Sequence, residues 1–88
     1  MYISDRIIFS GNGGPEECAE FVRSVREYAF GAGKVRDNAF IADFVSTCFV
    51  APAFFWYEEL DEDIRHEWNL LRKALIDAYG SPNPRPDR

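Results

Sequence analysis

Four groups of residues in this 88-residue chain are of types that could do chemistry. His66, the lone histidine, could act as an acid or base. Cys18 and Cys48 could bind zinc, act as nucleophiles or form a disulfide. Gly11-Asn12-Gly13-Gly14 could cradle a phosphate, and the run Glu58, Glu59, Asp61, Glu62, Asp63 could hold a cation. None has the partners its chemistry needs. His66 sits beside Glu67, off the apolar stripe, with no Ser or Cys nucleophile near it in sequence. The cysteines are thirty residues apart with no CxxC or Cys/His cluster, so no zinc site is expected. Both fall on apolar helix faces, which predicts buried thiols, with a single disulfide as the alternative. The glycine run lacks the GK[ST] ending and the GxGxxG spacing, and Glu16 and Glu17 would repel a phosphate there. The acidic run lacks the D-x-[DN]-x-[DN]-G calcium loop and reads as a helix junction with a solvated face. The sequence therefore predicts no catalytic, metal or cofactor site, and a non-enzymatic protein.

Charge narrows the partners further. Ten Lys plus Arg face fifteen Asp plus Glu, a net charge of −5. Nucleic-acid binding relies on a basic footprint, so direct binding to nucleic acid is not expected. Aromatic residues make up 16% of the chain and charged residues 28%, the opposite of a disordered composition. A domain this short buries only about 60–65% of the surface its unfolded chain exposes. So large an apolar supply on so small a body leaves some of it available to a partner. Met1 to Arg6 lacks signal-peptide architecture, and no run approaches the ~20 apolar residues of a membrane span. The expectation is an intracellular, cytoplasmic protein without a membrane segment.

Residues 1–10 form an extended N-terminal arm containing the β-prone run Arg6-Ile7-Ile8-Phe9, which must dock on the domain or on a partner. Ser10 to Gly14 is a turn. Pro15 opens a first helix, with Glu16, Glu17 and Glu20 at the positive end of its dipole. Cys18, Phe21, Val22, Val25, Tyr28 and Ala29 recur at helical spacing, and Gly31-Ala32-Gly33 ends the run. Asp37 caps a second helix carrying Phe40, Ile41, Phe44, Val45, Cys48 and Phe49. Pro52 starts a third, to about Leu60, on which Ala53, Trp56, Tyr57 and Leu60 share a face at about 100° per residue. A fourth begins near Asp61, with Ile64, Trp68, Leu71, Leu75 and Ala78 on one face and Tyr79 beside them. Gly80 and Pro82 end it. Residues 81–88 read as a proline-rich linker. The expected architecture is all-α: a compact lobe of four to five helices over residues 11–80, preceded by the arm.

Phe49-Val50-Ala51-Pro52-Ala53-Phe54-Phe55-Trp56-Tyr57-Glu58-Glu59-Leu60, followed by Trp68 to Tyr79, resembles the Gag capsid domain of gypsy-type long-terminal-repeat retrotransposons. That family shows roughly L-x-G-x-A-x-x-W-[YF]-x-x-L and then W-x-x-[LF]-x-x-x-[LF]-x-x-x-[FY]. Phe9-Ser10-Gly11 matches its F-x-G entry, and Glu17 to Phe21 its first helix, so the resemblance covers about residues 6–80. It is to the N-terminal capsid lobe, also found in domesticated Gag proteins such as neuronal Arc. The resemblance implies lobe-to-lobe contacts that build shells, and in Arc-like relatives an apolar groove for a partner peptide beside the arm. It also implies that Phe21, Trp56, Tyr57, Trp68 and Tyr79 are mainly structural. Ala51 stands where the family usually has Gly, and Phe54 and Phe55 stand where it is commonly polar or basic. Neither a C-x₂-C-x₄-H-x₄-C knuckle nor a basic region accompanies the lobe, so RNA packaging is not carried over. The tail suits a linker towards a second lobe.

The expected core is Phe21, Val25, Phe40, Phe44, Trp56, Tyr57, Leu60, Trp68, Leu71, Leu75 and Tyr79. Phe54 and Phe55 fall outside that stripe. Either the core absorbs them through shifted helix boundaries, or they form a self-association patch together with Phe9 and Ile7 from the arm. The expected partner is a second copy of the chain, in a dimer or capsid-type assembly. The alternative is an adaptor. It would hold an extended host peptide in a groove between the first, second and fourth helices, strand-paired with the arm.

Overall fold

Pro15 and the carboxylates of Glu16 and Glu17 open α1, Gly14–Gly31, in the computed structural model, which describes residues 7–80. The arm's first six residues and the proline-rich segment 81–88 lie outside the described residues. Cys18, Phe21, Val25 and Ala29 are the buried stripe of α1. Asp37 caps α2, Asn38–Ser46, by accepting a hydrogen bond from the Phe40 N–H at 3.0 Å. The remaining elements are α3, Ala53–Glu58; α4, Glu62–Arg65; α5, Trp68–Leu75; and a closing π-helical turn, Ile76–Gly80. The fold is all-α, with no strand among the described residues.

Two elements depart from the expected pattern. The second helix stops at Ser46, before Cys48 and Phe49. The hydroxyls of Ser46 and Thr47 donate to the carbonyls of Asp43 and Phe44 at 2.6 and 2.7 Å, local bonds that compete with helix continuation. Phe49 then forms an isolated parallel β-bridge with Phe9. The expected fourth helix is split. Glu67 is extended (φ −130°, ψ 110°), and Trp68 restarts the winding with its side chain buried. The π turn advances fewer degrees per residue than an α-helix, which takes Ala78 out of the stripe and leaves it exposed. Tyr79, one residue later, points back over Phe9 and Trp56, at ring-centroid distances of 5.1 and 5.3 Å.

Of the expected core, Phe21, Val25, Tyr57, Trp68, Leu71 and Leu75 are buried. Phe40, Phe44, Trp56, Leu60 and Tyr79 are half-buried and packed against that cluster. Phe9 is fully buried, at 0% exposure, and belongs to the core rather than to a partner patch. Its ring lies 5.0 Å from Phe21 and 5.9 Å from Phe49, with the tilted and edge geometries that aromatic pairs prefer. Cys18 and Cys48 are buried thiols, as their apolar positions imply.

Candidate interaction surface

The arm is held by backbone pairing and by one carboxylate. The Phe9 N–H donates to the Cys48 carbonyl at 2.9 Å, and the Val50 N–H donates to the Phe9 carbonyl at 3.0 Å. The Ala53 N–H donates to the Ser10 carbonyl, tying the first residue of α3 to the arm. Glu17 reaches back from α1 to accept from the N–H groups of Ser10, Gly11 and Gly13 at 3.1, 3.0 and 2.9 Å, and from the Ser10 hydroxyl. Partial burial by itself pushes this carboxyl up. The bonds from Gly13, Ser10 and Gly11 outweigh it and hold the group below its ordinary value. The donors a phosphate would need are thus occupied by the chain's own carboxylate. Gly11 has φ +86°, and a Cβ there would come within 2.7 Å of the Tyr79 ring, so this turn admits no larger residue without displacement.

Pleating decides which arm residues face outward. Phe9 and Phe49 point into the core from the bridge, so their neighbours Ile8 and Val50 point away, and they are 49% and 41% exposed. Ile7 packs against the core. The expected patch members Ile7 and Phe9 are therefore corrected: the outward arm residue is Ile8, which shares neither their face nor their burial.

Phe54 and Phe55 lie on α3, whose two buried residues, Ala53 and Tyr57, are one turn apart. At about 100° per residue, the next two side chains after Ala53 rotate off that line. They are 38% and 63% exposed, with ring centroids 5.6 Å apart in an edge-on arrangement. The Phe54 N–H donates to the Val50 carbonyl, so Ile8, Val50, Phe54 and Phe55 belong to one backbone neighbourhood. Glu58, Glu59, Asp61, Glu62 and Asp63 follow directly and are all exposed. His66 is exposed too, with Nε2 3.9 Å from a Glu62 carboxylate oxygen. Among the described residues no group of three or more His, Cys, Asp and Glu side chains is placed to share a metal ion. No helix among them is long and apolar enough to cross a membrane.

Two concavities lie along α1. One, of about 410 Å³, runs between α1 and the π turn, lined by Cys18, Ala19, Val22, Arg23, Arg26 and Ile76 among others. The other, of about 230 Å³, lies where α1, α2 and α5 meet, lined by Val22, Ile41, Trp68, Arg26 and Arg72 among others. It occupies the place expected of a peptide groove. No described arm residue lines either concavity, and both polar groups of the Phe9 backbone are already used within the chain. A ligand in these grooves has no strand partner at Phe9. The lining arginines and the outward turn of Ile8 and Val50 were not singled out from sequence. Period-2 alternation separates Ile8 from Ile7 and Phe9, but only the bridge says which face is inward.

Two further exposed apolar residues were also missed. Phe30, at the end of α1, and Val35, in the loop after it, are 74% and 46% exposed. No protein-family model, curated protein or solved structure matches the chain.

Proposed function

We propose that the chain is a structural, non-enzymatic protein, a Gag-derived capsid lobe that self-associates through the outer face of α3. The observation that carries this reading is the exposed Phe54–Phe55 pair, continued by Val50 and Ile8. Adjacent large apolar side chains on one surface are stabilised by transfer out of water, at about 25 cal/mol per Å² removed. A second copy of the chain is the partner that buries it. The competing reading, strand addition of an extended peptide to the arm, is disfavoured because Phe9 is paired in its own chain.

Sedimentation equilibrium tests the proposal. The wild-type mass should rise above the single-chain 10.1 kDa as concentration increases. Phe54→Ser with Phe55→Ser should stay at the single-chain mass while keeping its helical circular dichroism. A wild type that remains strictly monomeric at high concentration overturns it.

A further inference from the structure

We infer that self-association is head-to-tail: the Phe54–Phe55 corner of one copy seats in the α1 groove of the next. This rests on the self-association reading above and names the surface that receives the patch. The two surfaces are unlike and complementary. The donor corner presents two exposed phenyl rings followed at once by exposed Glu58, Glu59, Asp61, Glu62 and Asp63. The acceptor is a concavity of about 410 Å³, within the range of pockets that hold ligands, with an apolar floor of Cys18, Ala19, Val22 and Ile76. Arg23 and Arg26 also line it. Arg23 is engaged by Glu20 and Glu27 at 3.9 and 3.4 Å, whereas Arg26 makes no ion pair among the described residues.

Charge decides between this arrangement and a symmetric one. A two-fold contact patch-to-patch would bring five carboxylates of one copy towards the same five of its partner, and like charges in juxtaposition oppose association. Three of the chain's ten Lys and Arg side chains (Arg23, Arg26 and Arg72) line the two neighbouring concavities of α1. Turned to the α1 face of a different copy, the acidic corner meets Arg26 at the acceptor concavity instead of the same five carboxylates. A contact between two different surfaces leaves one of each free at the ends, so it adds further copies until a ring closes or a filament grows.

Complementation between two variants tests the inference. Phe54→Ser with Phe55→Ser removes the donor and leaves the groove. Ala19→Glu with Arg26→Glu changes two exposed positions of α1, blocking the groove and leaving the donor. Each should be monomeric alone and folded by circular dichroism. Mixed, they should form a one-to-one complex at twice the single-chain mass of 10.1 kDa. Wild type should pass beyond two chains as concentration rises and associate more weakly in added sodium chloride, where charge pairs are screened.

The failures are separable. A wild type that stops at two chains, is abolished by the Phe changes and is untouched by Ala19→Glu with Arg26→Glu leaves the self-association reading standing and overturns this one. Two monomeric, folded variants that form no mixed complex also overturn it. A monomeric wild type overturns both, as does one whose groove instead takes an acidic host peptide without associating with itself.

Discussion

The aromatic cluster around Phe9 and the aromatic pair on α3 use the same side chains under different backbone conditions. Phe9 sits at a β-bridge whose pleat aims it at Phe21, Phe49 and Tyr79, and it is fully buried. Phe55 sits on a six-residue helix whose inner line is already taken by Ala53 and Tyr57, and it is 63% exposed. Hydrophobicity is equal in the two cases; the difference is the direction the backbone leaves open. The lesson is that an aromatic surplus in a small domain does not all belong to the core, and that the arm contributes a fully buried ring while α3 leaves two exposed.

The contrast should break first at Phe9. Phe9→Ala removes a fully buried ring and should cost about 3–5 kcal/mol of folding stability, read from urea unfolding midpoints. Loss of less than a third of that would mean the arm is not part of the cooperative core.

Next in size is Glu17, which fastens the arm. Glu17→Gln gives up a charged acceptor for three backbone N–H groups and should cost about 1–3 kcal/mol at neutral pH. The sign of its pH dependence is determined by the lowered value. The unfolded carboxyl takes up its proton near the ordinary 4.5, before the folded one does. Its stabilisation is therefore complete above that pH and fades as pH falls through the depressed folded value. Wild-type and Glu17→Gln stabilities should converge on acidification, and a gap that stays constant would refute the role of the Glu17 carboxylate in fastening the arm.

A smaller effect is expected at the cap of α2. Asp37→Ala removes the bond to the Phe40 N–H and should cost about 1 kcal/mol. Smallest of all, Phe54→Ser with Phe55→Ser should change the stability of the isolated chain by no more than about 0.5 kcal/mol, as for surface positions generally. A large destabilisation there would show the pair to be core after all and would erase the contrast with Phe9.

Much of the fold is legible in local pattern, because local pattern is what builds helices. The stripe Cys18, Phe21, Val25, Ala29, the cap at Asp37, the break at Pro52 and the buried Trp68, Leu71, Leu75 follow from spacing, capping and proline geometry. The same rotation places Phe54 and Phe55 off the α3 stripe before any packing is known. Three features are not legible there. Phe49 reads as helical by spacing, yet it bridges to Phe9, forty residues earlier in sequence. Glu17 reads as a dipole residue, yet it folds back onto the turn before it. Arg23 and Arg26 lie off the apolar stripe of α1, yet they line a groove that exists only because the π turn lies beside α1.

Residue order alone therefore determined an acidic, aromatic-rich, all-α chain and the faces of its principal helices. Tertiary structure decided which apolar residues lie inward, because burial depends on pairings distant in sequence. It was the Phe9–Phe49 bridge that turned Phe9 in and Ile8 out.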